Sequence, residues 1–295
     1  MTGLRWTSGA PALRAAVERA LAPGAGAAKL RVLHENARRR LLIVEGDGGE
    51  AILLKQFRVG SGKHVLRERW KARLGWSPAR REERALRALG AAGAPVPEPL
   101  GLAEQADGDA LLALRFVQGV PLVEALRAPR GERRALLRAL GEAVAALHRA
   151  GFAHGDLHAG NVLATARGPV LLDLQHARRR TGAAAQAADL GWLDYSLWPH
   201  ASAADRVRLR AAALGLARPY GADARARLRA AGLAAERRAA DHARSRTRRA
   251  LRPGRLAADV RLEALRGLRA RALPEPALET LLRAHAGAAG AALLK

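Results

Sequence analysis

The chain contains no cysteine. Disulfides, thiolate metal sites and a cysteine nucleophile are therefore excluded, and with them a secreted fold that depends on disulfides. Aromatic residues make up only 3% of the chain. With so few stacking side chains and no known binding motif, no specific nucleic-acid partner is expected. Lysine occurs only at positions 29, 55, 63, 71 and 295. No apolar run is long enough to span a bilayer. The first residues carry Arg5, Arg14 and Glu18 and lack an apolar core segment, so a secretory signal is not expected. These absences point to a cytoplasmic protein.

What is present is a 295-residue chain, 49% hydrophobic, with a formal charge of +24. That is enough to bury a substantial core in one large domain or two small lobes. Arginine carries nearly all the positive charge and alanine is abundant, a pairing that suggests a composition bias as much as a function. Such a surface still attracts phosphate-rich partners, among them anionic membrane and lipopolysaccharide.

Residues 1–28 read as an arm holding a short helix, Ala10 to Leu21, closed by Pro23-Gly24. Three strands follow, at Lys29–Leu33, Leu41–Val44 and Ala51–Lys55, with a glycine-rich turn at 45–49. Residues 58–76 form a basic connector, either a solvated face or a docking surface for an acidic or phosphorylated substrate. Ser77-Pro78 opens a helix that stops at Gly90 and carries Glu82 and Glu83. Leu111–Val117 is a further strand, and Gln118-Gly119 is a candidate hinge. From Gly131 to Ala150 the spacing of Leu137, Leu140, Val144 and Leu147 predicts an amphipathic helix. Beyond Asp173 the pattern is helical, with an arginine-rich helix from Asp223 to Leu251, a candidate interruption at Gly232, and a last helix from Pro274.

The stretch His154-Gly-Asp-Leu-His-Ala-Gly-Asn161 lies between the amphipathic helix and a small hairpin, and Val170-Leu-Leu-Asp173 follows. One carboxylate, Asp156, can accept the proton of a substrate hydroxyl. Asn161 and Asp173 supply hard oxygens of the kind magnesium prefers. Lys55 ends an apolar strand. It reads either as an edge-strand lysine in water or as a point charge for a phosphate. Phosphoryl transfer asks a protein mainly for such positioning and charge neutralisation.

The loop, with Leu171-Leu-Asp-Leu-Gln175, resembles the catalytic and metal-binding loops of the protein-kinase-like superfamily. It looks most like the bacterial lipopolysaccharide core kinases, which phosphorylate heptose or Kdo sugars. Ser77-Pro-Ala-Arg-Arg-Glu82 through Pro95-Val-Pro-Glu-Pro-Leu100 and Ala188-Asp189-Leu-Gly-Trp-Leu-Asp-Tyr-Ser196 are similar to further segments of that family. The resemblance runs from about residue 29 to about 250. It implies an α+β, two-lobed protein-kinase-like fold, with a small antiparallel N-terminal lobe at 29–118 and a mainly helical C-terminal lobe at 119–295. It implies ATP and Mg2+ as cofactors, with Lys55 on the α- and β-phosphates and Glu82 as its partner (Glu83 being the fallback). Asp156 would be the catalytic base, Asn161 and Asp173 the metal ligands, and Asp189 a structural tie. Phe116, Val117 and Gln118 would border the adenine. The implied acceptor is a sugar hydroxyl of lipopolysaccharide core or another anionic glycolipid, met at the cytoplasmic face of the inner membrane by a peripheral enzyme held there by charge.

The departures from the wider superfamily are informative. No Gly-x-Gly-x-x-Gly covers the phosphates, and His34–Arg40 stands in its place. Gly155 replaces the arginine before the catalytic aspartate of many regulated protein kinases, Asp173-Leu-Gln replaces Asp-Phe-Gly, and no Ala-Pro-Glu follows. Two other readings stay open. One is a small-molecule phosphotransferase of the aminoglycoside or choline type, which would want an acidic pocket. The other is a non-catalytic scaffold.

Overall fold

Two-residue alternation shapes the first third of the chain. In the computed structural model, β1 (Arg5–Ser8), α1 (Pro11–Leu21), β2 (Leu30–Glu35), β3 (Arg39–Glu45) and β4 (Ala51–Phe57) precede α2 (Pro78–Ala91). Then come β5 (Pro99–Glu104) and β6 (Ala110–Arg115). The structure describes residues 4–22, 30–45, 50–59, 76–179, 182–217, 220–250, 257–262 and 265–270, and isolated positions from 272 to 280. Most of the basic connector, residues 60–75, and nearly all of the expected last helix lie outside the described residues.

The strands form one antiparallel sheet in the order β1-β5-β6-β4-β3-β2. Its two faces bury separate clusters. Ile52 and Leu54 of β4 join Leu42, Val44, Ala103, Leu111 and Ala113 beneath Val17 of α1. Phe57, Leu102, Leu112 and Leu114 pack with Ala85, Leu86 and Leu89 of α2. The sequence assigned no role to the first 28 residues. Here β1 pairs with β5, and α1 packs on one face of the sheet through Val17. Fully burying a side chain such as Val17 stabilises by about 1.5–3 kcal/mol. Strand parity also sets the direction of Lys55, which shares a face with Phe57 and so points to the α2 side.

The helical part begins after β7 (Val120–Pro121) with α3 (Leu122–Ala125) and α4 (Arg130–Arg149). Leu137, Leu140, Val144 and Leu147 are buried, as the spacing required. Then come β8 (Phe152–Ala153), the hairpin β9 (Val162–Thr165) and β10 (Gly168–Leu171), and β11 (Arg178–Arg179). α5 (Ala183–Ser196), α6 (Ala203–Ala213) and α7 (Ala222–Ala250) follow. Gly141 lets α4 approach α6 closely, since a Cβ there would lie 2.6 Å from the Leu209 carbonyl oxygen. Buried Asp194 binds Arg206 and Arg210, and buried Asp205 binds Arg208, so carboxylates pin this arginine-rich part from inside.

This is the α+β arrangement the resemblance implied. The C-terminal pattern differs in two places. α7 runs through Gly232 without a break, and its neighbour there is the Arg210 side chain rather than backbone. Residues expected to be helical instead pair as β12 (Ala257–Leu262) and β13 (Leu265–Ala270). The chain divides into two compact units, Met1–Ala235 and Glu236–Lys295, with every residue of the site below in the first. Among the described residues no helix is long and apolar enough to cross a membrane.

Candidate active site

The loop after β8 is held from beneath by one buried carboxylate. Asp189 of α5 accepts the backbone N–H of His154 at 2.7 Å and of Gly155 at 2.9 Å. His148, near the end of α4, lies 3.1 Å from the same carboxylate. The His154 ring is fully buried and its Nε2–H donates to the Leu172 carbonyl at 2.9 Å. Burial holds this imidazole below its ordinary pKa, against the pull of Asp189. Gly155 has a φ of +79°, and a Cβ there would lie 2.6 Å from the His176 carbonyl oxygen. Any side chain would therefore meet both the left-handed backbone penalty and a backbone clash. This is the local reason that glycine precedes Asp156.

The loop then presents Asp156 and turns back. Leu157 is fully buried, and Ala159 donates to the Ser196 hydroxyl at 2.9 Å. Asn161 Nδ2 donates to the Asp156 carbonyl at 2.9 Å, and Leu172 N donates to the Asn161 carbonyl at 2.8 Å. The return thus places Asn161 beside the strand that delivers Asp173. Asp156 Oδ1 accepts from Trp192 Nε1 at 2.9 Å, which fixes one carboxylate oxygen. His158 caps the short turn through Nδ1 and meets Trp192 edge-on, a structural role.

Asp173 and Lys55 join the two parts of the unit. Lys55 Nζ lies 2.7 Å from both Glu82 oxygens and 2.7 Å from Asp173 Oδ1. Glu82 is 1% exposed and Lys55 5%. Burial pushes the Glu82 carboxyl above its ordinary value, against the attraction of Lys55. Glu83 faces away, bonding Ser8 at 2.6 Å and Arg87 at 3.0 Å, so it is not the partner of Lys55. Among the described residues, Asp173 alone of the non-glycines has positive φ (58°). A side chain in that region costs on the order of 1–3 kcal/mol and is kept where the surroundings dictate it. Burial works to raise the Asp173 carboxyl, but Lys55 and Arg39 outweigh it and hold it below its ordinary value.

Asp156 and Asp173 face a common cavity of about 850 Å³ that also touches Phe57 and Arg39. Phe116, Val117 and Gln118 follow β6 at the other end of the sheet and do not line it. Phe116 N donates to the Ala51 carbonyl at 3.0 Å. Sequence reasoning left the part played by the arginines of His34–Arg40 open and gave Gln175 and Trp192 no role, yet Arg39, Gln175 and Trp192 all touch the site's carboxylates or each other. Only their three-dimensional neighbours reveal them. The ionised Asp173 carboxylate and the Asn161 amide oxygen suit magnesium, which takes one or two protein oxygens and completes its shell with phosphate and water. No group of three or more potential metal-ligating side chains gathers among the described residues.

Residues 25–212 match the family model for the lipopolysaccharide kinase (Kdo/WaaP) family. No curated protein matches the chain. Similar solved structures include the Rio2 kinase–ADP/Mg2+–phosphoaspartate complex from Chaetomium thermophilum. It is 20% identical, with a TM-score of 0.46, over 75% of this chain and 73% of that one. The kinase domain of Mycobacterium tuberculosis PknI (C20A mutant) is 21% identical, with a TM-score of 0.41, over 68% of this chain and 81% of that one.

Proposed function

The chain belongs to the lipopolysaccharide kinase (Kdo/WaaP) family and is by that membership an ATP-dependent kinase, and from this premise we infer that its acceptor is a sugar hydroxyl of lipopolysaccharide core or a similar anionic glycolipid. The observation that carries the reading is the junction of Lys55 with Glu82 and Asp173 at 2.7 Å, on the same cavity as Asp156. Lys55, held by Glu82, neutralises the α- and β-phosphates. Asn161 and Asp173 would hold magnesium, which would supply further positive charge against the phosphates. Phe116–Gln118 flank the adenine through backbone groups.

Asp156 accepts the proton of the acceptor hydroxyl as its oxygen forms a bond to the γ-phosphorus and the bond to the β-phosphate oxygen breaks, giving phosphosugar and ADP. Trp192 holds one Asp156 oxygen and leaves the other for that hydroxyl. Arg38, Arg39, Arg58 and Arg81 line the cavity beside Asp156. Such a wall attracts an anionic acceptor and repels a soluble cation, which favours glycolipid over an aminoglycoside- or choline-like substrate. The same excess of arginine supports a peripheral position on an anionic membrane.

The test is transfer of the labelled γ-phosphate of ATP to lipopolysaccharide core glycolipid by wild type and Asp156→Ala. Label in the glycolipid from wild type and none from the variant supports the reading. Transfer by Asp156→Ala at the wild-type rate removes Asp156 from its assigned role.

A further inference from the structure

The β2–β3 turn lies where a glycine-rich loop would offer backbone N–H groups to phosphates, but three of those groups, on Asn36, Arg38 and Arg39, are already bonded. Asn36 Oδ1 accepts from Arg38 N and from Arg39 N, each at 2.9 Å, and Asn36 N donates to the Arg39 carbonyl at 2.8 Å. An asparagine thus closes the turn on itself. A turn with so few backbone donors left to offer makes a side-chain donor the natural substitute.

Arg39 is the side chain aimed there. It leaves the first residue of β3 and crosses to the metal-binding loop, where Nη1 donates to Asp173 Oδ2 at 2.9 Å and Nη2 to Gln175 Oε1 at 2.6 Å. Its guanidinium lies over the Phe57 ring, 5.7 Å from the centroid, and the side chain is 24% exposed. With Lys55 on Oδ1, both oxygens of Asp173 carry a cationic partner.

We propose that Arg39 is a nucleotide-phosphate ligand that stands in for the missing glycine-rich loop, and that Asp173 and Gln175 are its seat in the free enzyme. This rests on the reading of the site as an ATP kinase. The guanidinium fork fits an Asp–Gln pair and a phosphate equally well. When ATP arrives, its phosphates compete for Arg39, and Asp173 Oδ2 loses its guanidinium partner. The charge that neutralises Asp173 in the free enzyme thereby neutralises phosphate in the complex. Gln175 gains a purpose as well, because a phenylalanine or glycine in the Asp-Leu-Gln segment could not accept from Nη2.

The experiment is calorimetric titration of the full chain with a non-hydrolysable ATP analogue and magnesium, and separately with adenosine. Wild type, Arg39→Ala, Arg39→Lys and Arg31→Ala are compared, the last being an exposed arginine of β2. Charge-assisted hydrogen bonds of this kind set the expected loss in Arg39→Ala at about 10–100-fold for the analogue, with adenosine affinity unchanged. Arg39→Lys keeps the charge but loses the fork and is expected in between. Arg31→Ala is expected to bind as wild type does. Equal analogue affinity in wild type and Arg39→Ala overturns the proposal, as does an equal loss for adenosine. If Arg39→Ala does not fold, Arg39→Lys decides, and wild-type affinity in that variant overturns it. A wild-type chain that binds no analogue at millimolar concentration overturns the kinase reading itself, a result distinct from the others.

Discussion

Replacing Asp189 with asparagine tests how the catalytic loop is held. The carboxylate accepts two backbone N–H groups, at 2.7 and 2.9 Å, and lies 3.1 Å from His148 Nε2, in a site 3% exposed. Asparagine has the same shape but only one acceptor oxygen. Its NH2 must face the N–H of either His154 or Gly155, leaving a buried donor unsatisfied. A hydrogen bond to a charged group is worth about 1.5–3 kcal/mol, and a stranded buried donor costs on the order of 1–3 kcal/mol. Allowing for relaxation, the variant is expected to lose about 2–4 kcal/mol. In a unit of this size Tm shifts by about 2–4 °C per kcal/mol, so the melting point should fall by roughly 5–15 °C. Circular dichroism melting reads the loss, and phosphate transfer reads its consequence at Asp156, where a displacement of about 1 Å can lower turnover on the order of 100-fold. A fall in Tm of less than about 2 °C, with turnover preserved, would refute the view that Asp189 anchors this loop.

Four further outcomes follow from the same geometry. Glu82→Ala is expected to lower kcat/KM for ATP by at least about 100-fold because Lys55 loses its fixed partner. Glu83→Ala, at a carboxylate that bonds Ser8 and Arg87 rather than Lys55, is expected to stay within a few-fold, and equal effects would exclude the pairing. Gly155→Ala is expected to destabilise by about 2–4 kcal/mol in chemical denaturation, from positive φ and a backbone clash together. Because the folded-state pKa of His154 is depressed, the unfolded chain binds the extra proton. Its contribution to stability is present above the ordinary imidazole value of about 6.5 and is lost as pH falls below it towards the folded value. NMR titration should find the ring's midpoint below that ordinary value, and a midpoint at or above it would contradict its burial. Trp192→Phe removes the bond to Asp156 Oδ1 and is expected to lower kcat by about 10-fold with little change in KM for ATP, whereas a changed KM alone would place Trp192 outside the acceptor step.

The parts of the site that sequence made legible are those whose chemistry is written into a short stretch. Asp156, Asn161 and Asp173 sit in one loop and one strand end, so their spacing carried the reading. Lys55 was conspicuous in a chain that otherwise uses arginine. Its junction with Glu82 brings together residues 27 apart, and only the family resemblance put Glu82 ahead of Glu83; the structure turns Glu82 to Lys55 and Glu83 to Ser8 and Arg87. Contacts between distant residues left no such signal. Arg39 meets Asp173 across 134 positions, so although His34–Arg40 was placed where a glycine-rich loop would lie, which of its arginines reaches the site was not legible. Ser8 donates to Glu83 across 75 positions, and nothing in residues 1–28 announced that they complete the sheet. The same composition misled in the C-terminal region. Alanine and arginine favour helix strongly enough to hide the short strands Ala257–Leu262 and Leu265–Ala270.

The central claim is that Asp156 directs the γ-phosphate of ATP to a sugar hydroxyl of an anionic glycolipid. It is tested most directly by giving wild type and Asp156→Asn labelled ATP and a fractionated envelope extract. The account predicts label in the lipopolysaccharide core fraction with wild type, and none with Asp156→Asn although that variant still binds the ATP analogue. Wild-type label confined to protein or soluble small molecules, or equal labelling of glycolipid by Asp156→Asn, would contradict it.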